Sequence, residues 1–166
     1  DFGGKGFNVS RLLKRLGADS TAVGFLGGKA GEMLQDGLRS LGIGTEFVWV
    51  PGETRTNVSI VTQSGGHYIK VNEKGPLVDP AKQQELLDKI AALAKPGDWW
   101  VLAGSLPPGI ADDFYARIVY ALNQRDSMAI LDTTGESLRL GCAEKPYLVK
   151  PNAEEAQALT KLPVDS

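Results

Sequence analysis

Short apolar runs alternate with helical stripes along almost the whole chain, and that alternation restricts the fold more than any single motif does. Thr21–Leu26, Thr45–Val50, Trp99–Ala103, Met128–Leu131 and Tyr147–Val149 each read as strands, closed by glycine, proline or polar turns. Between them apolar residues recur at helical spacing: Met33, Leu34, Leu38 and Leu41; Leu86, Leu87, Ile90 and Leu93; Phe114, Ile118 and Leu122; and a short helix around Leu138. Asp79-Pro80 starts the second of these helices as cap and first residue, and Pro96-Gly97 ends it. Strand–helix alternation of this kind implies a mostly parallel sheet flanked by helices, an α/β fold.

One segment breaks the rhythm. Thr56–Thr62 and His67–Val71 alternate apolar and polar residues, with Gln63-Ser64-Gly65-Gly66 between them as a turn. Such alternation implies one wet face, unlike the doubly buried strands of a parallel sheet. The reading is therefore an α/β core over 1–53 and 73–166, with a small antiparallel hairpin over 54–72 standing off it.

Composition narrows the function classes. The 166 residues are 42% hydrophobic and carry a formal net charge of −2 with no long charge runs, which argues against nucleic acid or a membrane surface as the main partner. A single cysteine, Cys142, and a single histidine, His67, leave no internal disulfide and no soft-ligand zinc site. No apolar run approaches membrane-spanning length. The expectation is a cytoplasmic globular protein whose partners are small molecules. The chain begins at Asp1 within a motif, so a piece of something longer is expected.

That motif is Gly3-Gly4-Lys5-Gly6-Phe7-Asn8, running into a helix whose stripe is Val9, Leu12, Leu13 and Leu16, expected to be buried, with Gly17 as its cap. Glycines at a helix N-terminus expose unpaired N–H groups to an anion or a polar oxygen and let a ligand lie against the backbone. Lys5 adds a mobile positive charge, and Asn8 both donates and accepts. The stretch is not a Walker A loop, since no Ser or Thr follows the lysine, and it is not G-x-G-x-x-G. Alone it reads equally well as a glycine-rich helix start.

Other turns decide the matter. Three strands end in Gly104-Ser105, Asp132-Thr133-Thr134-Gly135 and Lys150-Pro151-Asn152. In parallel sheets ligands gather at the carboxyl ends of strands. Each turn has a bland account: a proline-fixed loop, a turn aspartate, and Asn152 as an ordinary N-cap. Together with Gly3–Asn8 and Arg55–Asn57, they point to one cleft.

In order and spacing, Gly-Gly-Lys-Gly-Phe-Asn at 3–8, Thr-Arg-Thr-Asn at 54–57, Gly-Ser-Leu-Pro-Pro-Gly at 104–109, Asp132 before Thr-Thr-Gly, and Lys-Pro-Asn-Ala-Glu-Glu at 150–155 resemble the PfkB branch of the ribokinase-like carbohydrate kinases. Within that branch the likeness is greatest to the bacterial hexose-phosphate kinases, the 1-phosphofructokinases and tagatose-6-phosphate kinases, because of Arg55. The resemblance implies a ribokinase-like α/β fold and ATP-dependent phosphorylation of a phosphorylated ketohexose, with fructose 1-phosphate favoured and tagatose 6-phosphate or fructose 6-phosphate next. It implies that Gly3, Gly4, Lys5 and Asn8 hold the sugar, that Arg55 and Asn57 clamp its phosphate, and that Ser105 lines the sugar pocket. Lys150 would meet the transferred phosphoryl group as the catalytic cation. Asn152 and Glu155 would organise Mg²⁺ through water, supported by Asp132. The hairpin would be a lid and, in many relatives, a homodimer contact.

The departures are specific. The family's catalytic base lies in a Gly-Ala-Gly-Asp tetrapeptide that does not occur here; the only Gly-Asp pair, Gly97-Asp98, precedes a strand. About half of a member is therefore expected, cut at both ends, carrying the sugar side of the site and not the base, and inactive alone. The alternatives are a non-catalytic sugar- or nucleotide-binding module, a kinase of another small carbohydrate in the superfamily, and a dinucleotide-dependent oxidoreductase, which the absent fingerprint disfavours.

Overall fold

The computed structural model describes residues 3–61 and 68–163. The elements in order are α1 (Lys5–Arg15), β1 (Thr21–Leu26), α2 (Gly28–Ser40), β2 (Gly44–Trp49), β3 (Asn57–Val61), β4 (Tyr68–Asn72) and α3 (Pro80–Leu93). They continue with β5 (Trp99–Ala103), α4 (Phe114–Asn123), β6 (Met128–Asp132), α5 (Gly135–Ala143), β7 (Leu148–Val149) and α6 (Ala153–Thr160). The alternation read from the sequence is thus the observed one, and the architecture is α/β.

Local chemistry sets most of the boundaries. Asp79 caps α3 by accepting the Lys82 N–H at 2.8 Å, and Pro80 occupies the first turn, where its missing N–H costs nothing. α1 ends at Gly17, whose φ of +82° is a left-handed value. There the Gly17 N–H reaches the Lys14 carbonyl and the Ala18 N–H reaches the Leu13 carbonyl, the paired closure typical of a glycine-terminated helix.

The sheet departs from expectation. Among the described residues there is no single parallel sheet but separate ladders: β1–β2 parallel, β5–β6–β7 parallel, and β3–β4 antiparallel. Hydrophobic periodicity identifies strands but carries no information on which edges pair, so the interruption between β1 and β5 had no local signal. The hairpin pairs Asn57 with Asn72 and Val61 with Tyr68. Its expected turn at 63–66 lies outside the described residues.

The two parallel ladders still share a core. Val48 of β2, with Val23 and Phe25 of β1 against it, packs into a cluster with Leu86 and Ile90 of α3, Leu102, Ile118, Leu122, Leu131 and Leu138. Burying each such side chain is worth roughly 1.5–3 kcal/mol. A second cluster joins Leu26, Leu34, Leu38, Ile43 and Phe47, with Phe7 packed edge-on against Phe47.

The expected burial of the α1 stripe fails in part: Leu12 and Leu16 remain 57% and 73% exposed. On α2, Leu34 and Leu38 are buried while Met33, and Leu41 just past its end, are exposed. The buried pair of α2 packs with Leu26 of β1 and Phe47 of β2. Trp99, opening the most apolar strand, is also exposed, resting edge-to-face on Tyr147 at 4.9 Å between ring centroids.

Candidate functional site

Parallel register brings the three polar turns to one edge. Ala103 lies beside Asp132, and Leu131 beside Val149. The ladder continues one residue beyond β5 and β7: the Gly104 N–H donates to the Asp132 carbonyl at 3.1 Å, and the Lys150 N–H to the Leu131 carbonyl at 3.0 Å. Gly104, Asp132 and Lys150 therefore sit side by side at the carboxyl ends of β5, β6 and β7.

Asp132 holds the charges at this edge. Its Oδ1 accepts the Lys5 ammonium at 3.0 Å and lies 3.5 Å from that of Lys150. Lys5 comes from the start of α1, so this pair ties the glycine-rich stretch to the sheet edge. Gly4 is the N-cap of α1, with a φ of +144°, and its carbonyl accepts the Asn8 N–H. The amides of Lys5, Gly6 and Phe7 precede the first intrahelical bond and have no acceptor within the helix.

Arg55 arrives from the other direction, on a segment pinned at both sides. Thr54 exchanges two bonds with Gly27: its N–H donates to the Gly27 carbonyl, and its Oγ1 accepts the Gly27 N–H, both at 2.9 Å. Glu53 accepts the Lys29 and Ala30 N–H groups at 3.0 Å, capping α2 from a distant loop. Those two bonds hold its carboxyl below the usual range. On the far side, Glu73 accepts the Thr56 N–H at 2.8 Å. The Arg55 guanidinium then donates through Nη1 to Ser105 Oγ at 3.0 Å. None of these anchors was read from the sequence, since a cap supplied by a residue more than twenty positions away has no fixed spacing.

Gly3, Gly4, Lys5, Arg55, Asn57 and Ser105 all line one cavity of about 1480 Å³, which runs on between β1 and β5. These six expected residues are brought together. Asp132, Lys150, Asn152, Glu155 and Asn8 are not part of its wall. Asp132 reaches it through its ion pair with Lys5 and the bond from the Gly104 N–H to its carbonyl, and Lys150 through Asp132, while Asn8 is exposed along α1.

Asn152 and Glu155 make a reciprocal capping box. Asn152 Oδ1 accepts the Glu155 N–H at 2.8 Å, and the Glu155 carboxylate accepts the Asn152 N–H at 2.9 Å. The bland account of this pair, a helix start, is therefore present in full. It leaves the second carboxylate oxygen of Glu155 uncommitted to the described chain. Among the described residues no group of three His, Cys, Asp or Glu could hold a metal, and no helix is long and apolar enough to cross a membrane.

Two further residues stand behind the edge. Thr133 and Tyr115 each donate a hydroxyl to the Gly104 carbonyl, at 2.9 and 3.1 Å. Burial first, and then the Asp132 charge, push the Tyr115 phenol up to about 12, against a smaller opposing pull from Arg55.

The chain is 40% identical over 153 residues to the 1-phosphofructokinase of Bacillus subtilis, covering 92% of this chain and 49% of that protein. It is 39% identical over 155 residues to the D-tagatose-1-phosphate kinase of Bacillus licheniformis, covering 93% and 50%. Among solved structures, phosphofructokinase-2 from Escherichia coli in complex with substrates and products superposes with a TM-score of 0.91 at 28% identity, over 99% of this chain and 53% of that one. The chain thus spans about half the length of the relatives it matches. Its fold is that of the ribokinase-like phosphofructokinases. The family model for pfkB family carbohydrate kinases matches residues 1–166, so the chain belongs to the pfkB family of carbohydrate kinases.

Proposed function

We propose that this chain is the sugar-binding part of an ATP-dependent phosphosugar kinase that phosphorylates a hydroxyl of a phosphorylated ketohexose, fructose 1-phosphate before tagatose 6-phosphate or fructose 6-phosphate. The observation that carries the reading is Arg55 hydrogen-bonded to Ser105 on the wall of the cavity that Lys5 also lines. A guanidinium fork held at 3.0 Å from a sugar-facing hydroxyl suits a phosphate on one side and the sugar on the other. The likeness to kinases of fructose and tagatose phosphates supports the same substrate class.

In this reading the amides of Lys5, Gly6 and Phe7 bind sugar oxygens, and Arg55 and Asn57, with Lys5, hold the substrate phosphate. Asp132 gathers Lys5 and Lys150 on one carboxylate oxygen and so keeps both at the edge. Lys150 meets the charge on the phosphoryl group in transfer. Glu155, with one carboxylate oxygen outside its capping bond, fits a Mg²⁺ ion that keeps most of its waters and takes its remaining oxygens from nucleotide phosphates. The ion would supply charge neutralisation there, with Asn152 holding Glu155 in place. No Gly-Ala-Gly-Asp base occurs in these 166 residues, so they are expected to show no turnover alone. Self-association through the 54–72 hairpin belongs to the same proposal and is read by sedimentation velocity.

The test is ADP release by the full-length protein from the reading frame containing this chain, with ATP, Mg²⁺ and each of the three phosphosugars. Arg55→Ala should raise KM for the preferred phosphosugar on the order of ten- to a hundredfold, the worth of a charged hydrogen bond. Unchanged KM for every phosphosugar would reduce Arg55 to a solvated turn residue.

A further inference from the structure

Ser105 can meet Arg55 only if the peptide joining Gly104 to Ser105 is held in one orientation. Gly104 leaves β5 with a φ of +105°, a left-handed value, and no side chain packs within reach of where its Cβ would stand. Packing therefore does not fix this peptide; hydrogen bonds do. The Gly104 N–H is tied to the Asp132 carbonyl at 3.1 Å. Its carbonyl accepts two hydroxyls that arrive from different elements, Tyr115 Oη from the first turn of α4 at 3.1 Å and Thr133 Oγ1 from the turn after β6 at 2.9 Å. Both donors are deep, with Thr133 2% and Tyr115 9% exposed.

Two buried hydroxyls converging on one carbonyl fill both of its lone pairs and fix the plane of the peptide that also carries the Ser105 N–H. That plane sets where the Ser105 side chain points, and Ser105 Oγ is the acceptor for Arg55. The guanidinium has no other hydrogen-bond or ion-pair partner among the described residues.

We infer that Tyr115 and Thr133 are positioning residues whose hydroxyls, through the Gly104 carbonyl, aim Ser105 and with it Arg55 at the substrate phosphate. The inference rests on the phosphosugar reading above. A purely structural account would have the two hydroxyls satisfy only their own burial, with the Gly104 carbonyl a convenient acceptor.

The experiment uses Tyr115→Phe, Thr133→Val and the double variant in the full-length protein, with Thr133→Ser as the conservative control. Each single change removes one neutral hydrogen bond and should raise the phosphosugar KM by roughly three- to tenfold, with kcat and the KM for ATP nearly unchanged. The double variant should exceed the product of the singles, because one hydroxyl still holds the carbonyl in each single variant. Thr133→Ser should restore the wild-type KM. In a Ser105→Ala background the Tyr115→Phe effect on KM should collapse, since the relay has lost its middle member.

A fall in Tm with phosphosugar KM unchanged overturns the inference, as does a Tyr115→Phe effect of equal size with and without Ser105. These outcomes are separable from failure of the functional reading. If Arg55→Ala raises KM and the hydroxyl variants do not, only the positioning role falls. If no phosphosugar is turned over, the Arg55 Nε–H resonance decides. It should shift in Tyr115→Phe and Thr133→Val but not when Ser105→Ala is already present, and an unmoved resonance overturns the inference.

Discussion

α1 and α4 each carry an apolar stripe at helical spacing and meet opposite fates. On α4, Phe114, Ile118 and Leu122 are all buried, Leu122 completely, because α3, α5 and β6 close over that face. On α1, Leu12 and Leu16 lie largely in water, because the strands the helix packs on, chiefly β1 and β5, leave that part of its stripe uncovered. An amphipathic stripe predicts a helix and the direction of its apolar face; whether anything covers that face depends on the layers around it. The two ends of the molecule therefore differ in what holds them. The α4–β6 side is held by packing, whereas α1 is held at its first turn by Phe7 on Phe47 and by Lys5 on Asp132.

Truncation is the hardest test of that contrast. In the 166-residue chain, Leu122→Ala should cost about 2–5 kcal/mol by urea denaturation, the usual penalty for a cavity in a closed core. A loss below about 1 kcal/mol would mean that the α4 side is not closed.

The polar support behind the sheet edge should show in alkali. The Tyr115 phenol titrates near 10 in an unfolded chain and is pushed up to about 12 in the folded one. Its neutral form thus contributes stability that is complete below pH 10 and lost as pH rises through about 12. A shift of about two units corresponds to roughly 2–3 kcal/mol. Tyr115→Phe should abolish that part of the alkaline loss in denaturation curves taken between pH 9 and 12.

Lys150 is more exposed than Asp132 and contributes little to stability, so its replacement should be read in kinetics. Lys150→Met in the full-length protein should lower kcat more than it raises the phosphosugar KM, seen in steady-state ADP release. Equal loss of sugar affinity with kcat intact would move Lys150 to the substrate side.

The smallest effect belongs to α1. Leu16→Glu in the 166-residue chain should change stability by no more than about 0.5 kcal/mol, as expected of an exposed position. It should also lower light scattering at high concentration, because an exposed apolar stripe favours self-association. A destabilisation rivalling that of Leu122→Ala would erase the comparison.

Much of this was legible in the residues because it is local. Asp79-Pro80, Gly17 and Asn152 act on backbone groups within a few positions of themselves, and strand and helix periods repeat within single elements. Arg55 and Ser105, fifty positions apart, were each identifiable as candidate ligands, since residue type and turn context suffice for that. Only the tertiary structure decided that they bond to each other, that Asp132 holds Lys5 and Lys150 together, and that Glu53 caps a helix more than twenty residues away. The same holds for the gap between the β1–β2 and β5–β6–β7 ladders and for the convergence of Tyr115 and Thr133 on one carbonyl. Each of these depends on which surfaces the chain brings together at long range, and no period or cap in a single element encodes that meeting.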